Sequence, residues 1–121
     1  MDNSKVLNKD PEDFLNYLCS SLLVEVPGSI ETQEDMGNAS KLILKLSSSI
    51  SYLSYLTSLA SIKKRQLQKS GDKDEYEKMI DRCETCHIML KALNEQKSGI
   101  SRAMTTYIEH NNELRMINRG M

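Results

Sequence analysis

Tryptophan is absent from this sequence, and a single phenylalanine joins five tyrosines. So few large rings disfavour the broad apolar pocket that a haem needs. Proline (2) and glycine (5) are scarce as well, which argues against a turn-rich β architecture and for long helices. No apolar run approaches the roughly 18–20 residues of a membrane span. The opening residues, MDNSKVLNKD, lack the apolar stretch of a secretory signal. Neither sign of charge dominates: 16 basic and 17 acidic residues leave a net charge of -1. There is thus no general pull toward nucleic acid or a membrane surface. Three cysteines, an odd number, fit a disulfide framework poorly. These absences lead us to expect one soluble, cytoplasmic domain with a modest core and reduced thiols.

What is present is helical periodicity. A first helix is expected over about 11–24, opening at DPEDFLNYLCSSLL. Asp10 suits the N-cap, Pro11 the first helical position, and Glu12 and Asp13 the positive end of the helix. Leu15, Leu18, Cys19 and Leu22 form its expected apolar face. Pro27-Gly28 then turns the chain.

A second helix is expected over about 33–69. Thr32 and Asp35 have the spacing of a capping box. Its seam steps by threes and fours through Met36, Ala39, Ile43, Leu46, Ile50, Leu53, Thr57, Ala60, Lys64 and Leu67. No acidic residue follows Asp35, so ion pairs within the helix cannot support it and it must rely on tertiary packing. KSGDKD, residues 69–74, reads as a turn. A third helix is expected over about 75–116, with a break plausible at Ser98-Gly99. Its seam runs through Met79, Cys83, Cys86, Leu90, Leu93, Lys97, Ile100, Met104, Tyr107, Asn111 and Leu114. The tail NRGM is expected to fray.

A short loop between two long helices implies an all-α antiparallel hairpin, coiled-coil-like, with arms roughly 50–60 Å long. Each helix buries only one stripe, so a second copy completing a helical bundle, a homodimer, is expected. The first half of the chain is net acidic and the second net basic. The two halves of one chain, or opposite ends of two chains, can therefore attract.

The motif most suggestive of chemistry is Cys83-x-x-Cys86-His87, the spacing at which haem is attached in c-type cytochromes. Both cysteines fall on the seam, where a free thiol packs as a small apolar residue. A zinc site would need Cys19 or His110 as a fourth ligand, and three ligands on one continuous helix converge poorly. Glu84-x-x-His87 has the spacing of di-iron bundles, but the second helix offers no facing carboxylate. Packing is the better reading of the cysteines and a solvated side chain that of Glu84, and no cofactor is expected. No phosphate loop, nucleophile elbow or paired acid and base is visible, so no enzyme is expected. His110 sits on a polar helix face.

Lys63, Lys64, Arg65, Lys69 and Lys73 gather at the hairpin tip. They form the candidate nucleic-acid contact, although basic residues there also complement the helix C-terminus. Asp72, Asp74, Glu75 and Glu77 dilute the field. Tyr52 and Tyr55 flank the seam. Seven methionines suit core filling or an adaptable protein-binding surface.

The order of segments resembles small helical proteins encoded among the early or recombination genes of bacteriophages. The resemblance spans Thr32 to Leu114 and is carried by SSSISYLSYLTSLA and DEYEKMIDRC. It implies a phage or mobile-element accessory protein. Such a protein would either aid DNA transactions or bind a host protein, for instance as an inhibitor of a defence system. It carries over no catalytic residue.

Overall fold

The computed structural model describes residues 3–119, with side chains from Lys5 to Ile117. Four helices follow in order: α1 (Asn3–Leu7), α2 (Pro11–Leu22), α3 (Gln33–Ser70) and α4 (Lys73–Arg119). No strand occurs among the described residues. α3 and α4 form the long antiparallel hairpin, and α2 packs against α4. The final Gly120 and Met121 of the expected frayed tail lie outside the described residues.

The start of α3 follows from its sequence. Asp35 N–H donates to Thr32 Oγ1 at 3.0 Å, and Asp35 Oδ2 accepts from Thr32 N–H at 3.2 Å and Glu31 N–H at 3.0 Å. This capping box satisfies donors that helix geometry leaves unpaired. Those N–H bonds, that of Glu31 foremost, hold the Asp35 carboxyl below the ordinary carboxylate range. At the far end Gly71 adopts φ 82°, a left-handed conformation that favours glycine, and its N–H reaches Leu67 O at 3.1 Å. Asp72 then caps α4 by accepting Glu75 N–H at 3.2 Å. The turn is therefore tighter than the expected 69–74: α3 continues to Ser70 and α4 is already helical at Lys73.

α4 is continuous through Ser98-Gly99, so the anticipated break does not occur. Glycine costs a helix interior about 1 kcal/mol. Burial of the neighbouring Leu93 and Ile100 against α3 outweighs that.

The seam is recognisable but rotated. Leu46, Leu53, Ala60, Met79, Cys83, Cys86, Leu93 and Ile100 are buried, while Ile43, Ile50, Leu90, Met104 and Tyr107 are only half-buried. Leu56, expected to flank the seam and widen its stripe, is fully buried, and Ser49, Arg82 and Met89, none of them in the expected seam, are buried as well. The reason is α2, which covers one flank of the hairpin and pulls the centre of burial toward itself. Leu114 was expected on the seam but is exposed, because α3 begins only at Gln33 and leaves the last turns of α4 without a helical partner.

The N-terminal arm departs most from expectation. A five-residue helix, α1, precedes α2 and buries Val6 and Leu7. The buried face of α2 is Phe14, Leu18 and Leu22, an i, i+4, i+8 line, whereas Leu15 is 45% exposed and Cys19 half-buried. Phe14, the largest apolar side chain of the segment, takes the inward position and Leu15 turns out. Asp10 occupies the N-cap position without a side-chain capping bond. The helix ends at Leu22 rather than near residue 24, since Leu23 is already extended.

Candidate functional site

The cysteine motif resolves into its parts. Cys83 and Cys86 are buried between α3 and α4, with Cys83 Sγ 3.9 Å from Ser61 Oγ. His87, one residue on, is exposed. Helix geometry sends neighbouring side chains about 100° apart, so thiols that face the partner helix leave the imidazole facing out. Among the described residues no group of three or more His, Cys, Asp or Glu is placed to hold a metal ion. His110 lies at the open end of the hairpin, in a groove with Ile30 and Tyr107, far along α4 from Cys83. Burial pushes the Cys86 thiol up from its ordinary value, and the nearby Thr57 hydroxyl opposes this. Such a thiol resists becoming the thiolate that reacts or binds metal.

The residue before the motif is the unexpected one. Arg82 is 0% exposed. Its Nε donates to Leu7 O at 3.3 Å and its Nη2 to Lys9 O, while Nη1 meets Asp81 Oδ2 at 2.7 Å. The guanidinium also lies over the Phe14 ring, 5.3 Å from its centroid. The carbonyls it takes are those at the end of α1, groups that a helix terminus leaves unpaired. Arg82 thus clamps the N-terminal arm to the hairpin.

Two further ties follow along the arm. Tyr17 and Tyr52 share a 3.0 Å hydroxyl bond. Burial, reinforced by that bond, pushes the Tyr52 hydroxyl well above its ordinary value. Gln96 answers both backbone groups of Val24: its Oε1 accepts the N–H at 3.2 Å and its Nε2 donates to the carbonyl at 2.9 Å. Since α2 enters beside Arg82 and its chain leaves beside Gln96, the arm runs along α4 in the same direction.

At the tip, Arg65, Lys69 and Lys73 are exposed, and Lys63 and Lys64 are half-buried. Lys63 Nζ is engaged by Asn8 Oδ1 at 3.1 Å, and Lys78 Nζ by Asn8 O at 3.3 Å. The five basic residues therefore share one end of the fold, but one of them also holds the arm.

The arm covers one flank of the hairpin and leaves the opposite flank open. There Ile43 of α3 and Met104 of α4, both half-buried, floor a shallow groove edged by Leu44, 69% exposed, and Ile108, 48% exposed. Along α3 this flank continues through Ser47, Ser51, Ser54 and Ser58 with Tyr55 and Ile62 beside them. From Leu46 to Ile62, about 25 Å of helix, there is no charged residue. The serines were visible in the sequence. Their common flank becomes meaningful only once α2 is seen to cover the other one.

No protein-family model matches this chain, and neither a curated protein nor a solved structure shows significant similarity to it. Among the described residues no helix is long and apolar enough to cross a membrane.

Proposed function

We propose that this chain is a non-enzymatic helical interaction protein that acts by binding a protein, in keeping with a phage or mobile-element accessory. The observation that carries the reading is the open flank of the hairpin. It combines exposed Leu44, Tyr55 and Ile62 with an uncharged stretch of α3, in a protein 27% of whose residues are charged. Contiguous apolar and uncharged surface is characteristic of protein contacts, because a partner's side chains replace water there at little desolvation cost. A nucleic acid would instead require a continuous positive surface. The basic residues at the tip are interrupted by Asp72 and Asp74, and Lys63 is partly committed to Asn8.

The test compares wild type with Leu44→Glu and Tyr55→Glu, each used to capture proteins from a native-host extract. Both side chains are exposed, so both variants should fold. Loss of captured protein in both supports the reading, and an unchanged set refutes it. Salt-sensitive DNA binding abolished by replacing Lys64, Arg65 and Lys69 with glutamate would favour a nucleic-acid role instead.

A further inference from the structure

We infer that Lys63, Lys78 and Arg82 form a masked phosphate-binding site, that the end of α1 is its resident occupant, and that a nucleic-acid backbone binds there by displacing the N-terminal arm. This goes beyond the protein-binding reading and does not rest on it.

The site is defined by what now fills it. The carbonyl of Leu7 accepts from Arg82 Nε at 3.3 Å, and that of Lys9 accepts from Arg82 Nη2. Between them, Asn8 O accepts from Lys78 Nζ at 3.3 Å and Asn8 Oδ1 from Lys63 Nζ at 3.1 Å. Cations from both helices of the hairpin thus converge on three consecutive residues of the arm. All the acceptors are neutral oxygens, and the backbone ones follow a helix end, where the peptide dipoles leave partial negative charge. Among the described residues neither lysine pairs with a carboxylate, and Arg82 gives only Nη1 to one, that of Asp81. Nε and Nη2 form the other edge of its fork, an edge that fits two phosphate oxygens. A cation holds an anionic oxygen more tightly than a neutral one, so a phosphate is the stronger ligand for these three side chains.

The arm can lift without undoing the hairpin. It joins α3 through a non-helical stretch, residues 23–32, that contains Pro27-Gly28. α3 and α4 keep their own caps and their own seam. The arm is also the acidic part of the chain. Residues 1–32 hold two lysines against six acids, and the remainder has a net charge of +3. Lifting it leaves a cationic hairpin, with Lys64, Arg65, Lys69 and Lys73 at the same end as the site. A nucleic-acid backbone carries a charge on every unit, so phosphates next to the one bound reach those residues too. Asp81 and Asp74, the latter one turn before Lys78, temper the field. Binding should therefore belong to low and moderate salt.

The full chain provides the test, by fluorescence anisotropy of a labelled oligonucleotide at about 50 mM salt, with hydrogen exchange on the same complex. Bound oligonucleotide should accelerate exchange across residues 5–22. Gln96→Ala releases Val24 at the far end of the arm and touches none of the three cations. It raises the fraction of lifted chains and should tighten binding about threefold or more. Lys63→Glu combined with Lys78→Glu should weaken binding about tenfold or more, with helix content unchanged by circular dichroism. Arm exchange that is unchanged or slowed in the complex overturns the inference. So does Gln96→Ala that binds no tighter than wild type, or a double variant that binds as well. Preference for polyglutamate over the oligonucleotide overturns the phosphate assignment in favour of an acidic peptide.

Discussion

Replacing Arg82 with methionine keeps most of the buried volume while removing the clamp on the N-terminal arm. The loss is calculable in outline. Arg82 donates three hydrogen bonds, to Leu7 O, Lys9 O and Asp81. A hydrogen bond from a charged donor contributes about 1.5–3 kcal/mol, and the two carbonyls would be left without partners under the arm. The Asp81 bond counts for little, since its side chain is 51% exposed and rehydrates when the guanidinium goes. Against the loss stands the desolvation of a buried guanidinium, several kcal/mol, which methionine does not incur. The net destabilisation should be about 2–3 kcal/mol, a fall in Tm of roughly 10 °C for a domain of this size. It should also be localised. Hydrogen exchange should accelerate across residues 5–22 while the α3 and α4 amides of the hairpin centre stay protected. Arg82→Lys should recover little, because an ammonium cannot reach two diverging carbonyls as a guanidinium fork does. If Arg82→Met unfolds in urea within about 0.5 kcal/mol of wild type, or the arm exchanges no faster, Arg82 is not the clamp.

Gly99→Ala should stabilise the chain by about 1 kcal/mol in urea unfolding, since a methyl group there meets nothing within 4 Å and alanine is the better helix former; a destabilised variant would show that α4 needs flexibility at that point. Thr32→Ala should cost about 1 kcal/mol by removing the hydroxyl half of the capping box. The Asp35 half should be pH-dependent. Its carboxyl is held below the ordinary range, so its contribution is complete above the unfolded-state value near 4 and is lost as pH falls through the folded one. Thermal melts of wild type and Asp35→Asn should therefore differ at neutral pH and converge in acid, and a constant difference would exclude this linkage. Cys86 should alkylate far more slowly than half-buried Cys19 at pH 8, because burial both shields its thiol and raises its pKa; mass-spectrometric mapping of partially modified protein would reveal the opposite order if Cys86 were accessible.

The hairpin was legible in the sequence because its determinants are local. Thr32 and Asp35 carry their capping geometry in a four-residue spacing, and Gly71 can take the left-handed turn that other residues resist. The three- and four-residue steps of apolar side chains specify one helix face whatever that face meets. The cysteines of Cys83-x-x-Cys86 could likewise be placed on the seam from their register alone, which correctly turned them inward.

Only the tertiary structure decided the rest. Helical periodicity identifies an apolar stripe but not which flank of it a third element will cover, so the half-burial of Ile43 and Ile50 and the full burial of Ser49 and Met89 could not be read in advance. The burial of Arg82 is the clearest instance. A charged residue in a charged helix reads as solvated, and it becomes internal only because the carbonyls of Leu7 and Lys9, some seventy positions earlier in the chain, arrive to accept its protons. Local sequence determines helix and cap because the interacting groups are covalent near-neighbours. Which flank stays open for a partner depends on contacts between distant segments, and those exist only in the folded chain.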